Sequence, residues 1–229
     1  MLGSNAQTPE RDRRGESSSI LRYPLRRLAV ASYWCDGDKS SFRELLAESA
    51  GITVTLYERA ARGEPIEFSL VSALNYISLY DALAAGDFAR SKELAGFIGW
   101  RSELDRQYQT TFDISFGYAL KHLVLDDLNG CNVRLADLEE ECRMPHLRGF
   151  AGYVRTMRAI QTRDAAQCTA GLRELLAGHR DLIAKGGTLH STVQAFMCIW
   201  GLGLANLARK RAIDFMVPED ELLPKDLVI

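Results

Sequence analysis

Proline placement limits this chain most. Its six prolines, Pro9, Pro24, Pro65, Pro145, Pro218 and Pro224, leave two uninterrupted stretches, 66–144 and 146–217. Proline lacks the amide that a helix needs and crowds the preceding turn, so only these two stretches have room for several helices each. Side-chain usage points the same way. There are 31 Leu and 26 Ala against 30 Val, Ile and Thr together, and β-branched residues lose more rotamer freedom in a helix than straight-chain ones. An all-β fold is nearly excluded. With 229 residues, 47% hydrophobic and 25% charged, the chain is expected to form one large globular domain rather than a disordered polymer.

Four times the sequence runs from an apolar helical stretch through a short Asp-bearing turn into a second stretch. The pairs are 21–35 with 41–62, 69–85 with 88–100, 112–125 with 133–142, and 147–161 with 165–185, and a last helix spans 192–211. Apolar residues recur at helical spacing, as in Phe116, Leu120, Leu123 and in Val193, Phe196, Trp200, Leu204, Leu207. Asp87, Asp127 and Asp164, which stand 40 and 37 residues apart, are expected to cap the helices that follow them, where a carboxylate meets free amides and the positive dipole end. Gly86 is expected to end the helix before its turn. Such intervals belong to stacked helix pairs. The expected fold is all-α, stacked antiparallel helix hairpins in a tetratricopeptide-like α-solenoid or a compact helical bundle. A disordered N-terminal tail over 1–19 precedes a single helical domain over 20–213, and a docked or extended C-terminal tail follows over 214–229.

A net charge near −2 and a pI near 6.1 provide no electrostatic reason to bind nucleic acid or an anionic membrane. The uncharged segment 186–208 is too interrupted by polar residues to span a bilayer. Five cysteines without a Cys-x-x-Cys pair suggest reduced, mostly buried thiols and a cytoplasmic setting with no signal peptide.

Chemistry-bearing motifs are sparse. Neither a Gly-rich phosphate loop, His-Glu-x-x-His nor Gly-x-Ser-x-Gly occurs, so no enzyme activity and no cofactor are expected. One metal reading stays open, with Asp113, His122 and Asp126 sharing a divalent ion as a helical hydrolase would. His146, His179 and His190 have no neighbour that would orient a general base and read as surface or core. The six aromatics Tyr33, Trp34, Tyr76, Tyr80, Trp100 and Tyr108 read mostly as packing. The marked charge excess is the acidic run Asp126, Asp127, Asp137, Glu139, Glu140 and Glu141, relieved by Arg134. It is a solvated face or a docking surface that steers a basic protein partner, such as a nuclease.

Three segments carry a family likeness: Tyr80-Asp81-Ala82-Leu83-Ala84-Ala85-Gly86-Asp87, Leu202-Gly203-Leu204-Ala205-Asn206-Leu207-Ala208-Arg209, and Leu223-Pro224-Lys225-Asp226-Leu227. With them the chain resembles the immunity protein 49 family of bacterial polymorphic-toxin systems. The third and fourth turns depart from the pattern by lacking the glycine. The resemblance implies a cytoplasmic protein that binds a cognate toxin domain and neutralises it by occlusion, with no catalytic residue. The alternative class is a helical-repeat adaptor that binds a peptide in a concave groove.

Overall fold

A computed structural model describes residues 12–229. Of the expected N-terminal tail, residues 1–11 lie outside the described residues, and the remainder is packed rather than loose. Asp12 is buried, accepts from the Ser17 amide at 2.8 Å and pairs with Arg59 at 3.2 Å. That anchorage leads directly into helix α1, Glu16–Ile20.

The fold is all-α. The chain continues through α2 (Arg22–Asp36), α3 (Lys39–Ala61), α4 (Tyr76–Ala85), α5 (Phe88–Phe97), α6 (Ser102–Tyr108), α7 (Thr111–Val124), α8 (Leu128–Glu141), α9 (Ala151–Thr162), α10 (Ala165–Ile183) and α11 (Ile199–Lys210). Among the described residues there is no strand. Pro24 sits in the first turn of α2, where its missing amide would have had no intrahelical partner. Antiparallel pairs form from α2 with α3, α4 with α5, α7 with α8 and α9 with α10.

One turn design joins all four pairs. Asp38, Asp87, Asp127 and Asp164 each accept from the amide three residues on, at 3.0, 3.0, 3.0 and 2.9 Å. In front of each stands a residue in the left-handed conformation, namely Gly37, Gly86, Asp126 and Arg163. It lets the capping residue's own amide reach back to the last turn, as Asp87 does to Ala82 at 2.9 Å and Asp164 to Ala159 at 3.0 Å. The glycine missing from the third and fourth turns therefore does not change their geometry. It leaves backbone strain instead, because a β-carbon at φ 57–58° crowds the following carbonyl. Arg163→Gly is thus expected to raise stability by about 0.5–1 kcal/mol. Urea unfolding would show it as a higher midpoint, and a lower one would mean the Arg163 side chain holds the turn.

Two helices end up shorter than their apolar pattern. The expected 69–85 helix is broken at Ser72, which is extended at φ −96° and ψ 177°. There the Asp105 carboxylate takes the Ala73 amide at 2.8 Å, and two single 3-10 turns, Phe68–Val71 and Ala73–Asn75, precede α4. The expected 192–211 helix splits likewise into a 3-10 turn at Val193–Ala195 and α11. Helix α6 lacks an apolar stripe long enough to read, and only its Asp105 is buried.

The core is organised around α4 and α11. Every residue from Ile199 to Ala208 is buried, so α11 is surrounded rather than amphipathic. It packs on α4 from the N-terminal half and on α9 and α10 from the C-terminal half, and so joins the two halves of the chain. Gly203 permits the approach to α4, since a β-carbon there would lie 3.1 Å from the Tyr80 carbonyl oxygen. Tyr76, Tyr80, Phe116, Tyr153 and Trp200 interlock at this centre, with ring centroids 5.2–6.4 Å apart.

Beyond α11 the C-terminal segment lies against the bundle. Leu222, Leu223 and Leu227 are buried, and the Leu222 carbonyl accepts from the Cys198 amide at 2.8 Å. Buried Asn206 donates to the Leu83 and Ala84 carbonyls at 3.2 and 3.1 Å and accepts from the Ile229 amide at 3.1 Å. Asn206 thereby ties the segments 80–87 and 202–209 to the terminal residue Ile229.

Candidate functional site

The acidic run is largely matched with arginine. Asp126 pairs with Arg211, Asp137 with Arg134 at 3.2 Å, Glu139 with Arg158 at 3.0 Å and Glu140 with Arg143 at 2.7 Å. Asp127 caps α8 and meets His122 Nδ1 at 2.8 Å. Paired charges project a weaker field than the bare sequence suggests. Glu141 alone behaves differently, because its Oε2 is buried with no hydrogen-bond partner. Burial, reinforced by the Asp137 and Asp113 carboxylates, holds its carboxyl above the ordinary glutamate range.

The structure does not assemble the metal set. His122 turns to Asp127, Asp126 to Arg211, and Asp113 to the Thr110 hydroxyl at 2.6 Å. Among the described residues no group of three or more His, Cys, Asp or Glu side chains is placed to hold a metal ion. His179 is a satisfied core residue, with Nδ1 2.6 Å from the Tyr153 hydroxyl and Nε2 2.9 Å from the Gln194 carbonyl. Tyr153 also touches Cys198 Sγ at 3.3 Å. Burial pushes the Cys198 thiol up to about 12, away from the thiolate form that a nucleophile needs.

Two features without a sequence motif stand out. The first is a cavity of about 810 Å³ with mostly apolar walls, within the size range of small-molecule sites. Its floor includes Tyr76, Phe112, Phe150 and Trp200, all buried, while Tyr23, Met144 and His146 stand exposed at its rim. Gln194 and Trp200 line it at 4% exposure each, and Gln194 Oε1 and Trp200 Nε1 have no hydrogen-bond partner. Each such orphan costs about 1–3 kcal/mol. Five helices, α2, α4, α7, α8 and α11, and two 3-10 turns, Arg148–Phe150 and Val193–Ala195, contribute walls, so no local sequence pattern could have announced the site.

The second feature is the outer face of α2. Leu21, Pro24, Leu28, Ala31 and Cys35 follow helical spacing and are exposed, beside Tyr23, Arg27 and Trp34. Leu28 and Trp34 are each about half exposed, at 50% and 48%. Arg27 lies 5.4 Å over the Tyr23 ring. A hint was present in the sequence, because α2 carries apolar residues on two faces and needs only Ala29 and Val30 for the interior. The aromatic expectation divides accordingly: Tyr76 and Tyr80 are core, whereas Trp34, Trp100 and Tyr108 are exposed and Tyr33 half-buried. Four of the five cysteines are buried and Cys35 is exposed, all as free thiols. Among the described residues no helix is long and apolar enough to cross a membrane.

Comparison with protein-family models, with curated proteins and with solved structures yields no match to this chain.

Proposed function

We propose that this protein works by binding another protein, as a cytoplasmic immunity protein that occludes a cognate toxin domain. The observation that carries the reading is the apolar stripe on α2. A continuous exposed row of this kind, bordered by Trp34, Tyr23 and Arg27, matches the residue types that dominate protein-binding hot spots. Neutralisation by occlusion needs slow dissociation, which buried anchors supply without chemistry. The family resemblance supplies the kind of partner. The peptide-adaptor alternative asks for a concave groove along the inner helices, whereas the innermost helix here, α11, is buried from Ile199 to Ala208. The acidic run would then contribute at the margin: Asp126, Asp127, Asp137, Glu139 and Glu140 steer a basic toxin more than they anchor it.

Co-expression with the toxin domain encoded beside it tests the reading. Wild-type protein is expected to restore growth and to co-purify with the toxin. Leu28→Asp and Trp34→Ala are each expected to weaken the complex about thirtyfold, the effect of losing a 2 kcal/mol anchor, with unchanged thermal unfolding. Toxicity that persists beside abundant folded wild-type protein would overturn it. Glu140→Lys, remote from the core, is expected to slow association several-fold at low salt, and an unchanged rate would remove the acidic run from the encounter.

A further inference from the structure

The cavity stays open for a structural reason. Its aromatic walls are held from behind: Phe112 and Phe150 meet at 4.8 Å, Phe116 backs Phe112 at 5.4 Å, and Trp200 is stacked on Tyr80 at 5.4 Å. Side chains packed in this way are not free to swing inward and fill a void. At about 810 Å³ the space is roughly five times the ~150 Å³ cavity that holds one benzene. It has room for a molecule of two or three rings.

The accessible wall selects the kind of guest. Ile77 and Leu147 line the cavity and are only half-buried, so carbon surface is bare there beside the aromatics. Polar side chains in the wall are mostly engaged within the protein. Arg26 binds Asp81 at 2.6 Å and the Ser78 hydroxyl at 3.3 Å, the Thr192 hydroxyl donates to the Leu189 carbonyl at 2.8 Å, and Asp113 accepts from the Thr110 hydroxyl at 2.6 Å. The unpartnered Gln194 Oε1, Trp200 Nε1 and Glu141 Oε2 carry almost no accessible surface, so a guest does not reach them. A charged head set against such a wall would lose its water without gaining a partner. An anion fares worst, because Asp113 meets only the hydroxyls of Thr110 and Tyr76, whereas Arg26 is already neutralised by Asp81.

We propose that the cavity binds an uncharged aromatic molecule of two or three rings, held by apolar and edge-to-face contact with no ion pair. N-phenyl-1-naphthylamine, a diarylamine that is neutral at pH 7, serves as the probe. Its 8-sulfonate keeps the same three rings and adds one negative charge.

Fluorescence titration of the full-length protein is expected to show saturable binding of the naphthylamine at micromolar concentration, with the sulfonate at least about tenfold weaker. Methyl-labelled protein locates the guest. Intermolecular NOEs are expected to the methyls of Ile77 and Leu147 and not to those of exposed Leu28, which lies on the α2 stripe outside the cavity. Ile77→Trp adds bulk at the cavity wall and is expected to weaken binding at least about tenfold while unfolding as cooperatively as wild type. Absence of saturable binding, NOEs to Leu28 without those to Ile77 and Leu147, or undiminished binding by the folded Ile77→Trp variant overturns the site. Equal affinity for the two probes overturns the assignment to uncharged guests. Because no toxin enters the experiment, its outcome is separable from that of the occlusion reading.

Discussion

Gly152→Ala is expected to destabilise the protein by about 3 kcal/mol, a large fraction of a typical domain's stability. Gly152 lies where α9 crosses α10, and an added β-carbon would fall onto the backbone nitrogen and α-carbon of Leu175 and the carbonyl carbon of Glu174. Backbone cannot rotate aside as a side chain does, so the two helices must separate and the packing of Leu172, Leu175 and Leu176 is lost with them. Gly96→Ala is the internal control. Gly96 is in α5, and a β-carbon there meets nothing within 4 Å, so the same change is expected to stabilise by up to about 1 kcal/mol through helix propensity. Urea unfolding of the pair checks the sign. Equal effects from both would show that the α9–α10 crossing is not tight.

Arg26→Met is expected to cost about 3 kcal/mol at neutral pH. Asp81 is 1% exposed, and its Oδ2 receives Arg26 Nε at 2.6 Å and the Ser49 hydroxyl at 2.9 Å, while Oδ1 has no partner. Burial pushes the Asp81 carboxyl up, and Arg26, Ser49 and more distant Arg22 pull it back without cancelling the rise. Removing Arg26 raises the folded-state value further. A carboxyl raised in the folded state favours folding fully below its unfolded value, about 3.9, and loses that contribution as pH climbs through the folded value. The penalty of Arg26→Met is therefore largest at neutral pH and shrinks on acidification as Asp81 takes up a proton. Unfolding free energies of variant and wild type compared across pH 4–7 test this, and a pH-independent gap would show that lost packing of the arginine stem, not the stranded carboxylate, sets the cost.

The turns were the most legible part of the chain. Asp87, Asp127 and Asp164 cap their helices as their positions implied, because capping is settled within four residues. Helix lengths were less legible where a distant group intervenes. Asp105 holds the Ala73 amide across 32 residues, and no periodicity near position 73 reports it. The acidic run was visible as charge but not as pairing. Arg134 and Arg143 are on the run's own segment, whereas Arg158 and Arg211 arrive from α9 and the end of α11.

The chain's residues by themselves determine an all-helical protein, four hairpins with aspartate-capped turns, and a shortage of reactive constellations, because propensity, apolar spacing and capping act over a few residues. The tertiary structure decides that α11 enters the middle of the bundle, that the aromatics divide between a stacked centre and an exposed α2 face, and that Gln194, Trp200, Asp113 and Glu141 share one cavity. Those outcomes depend on which surfaces meet across a hundred residues or more, and a local pattern carries no record of the partner that will cover it.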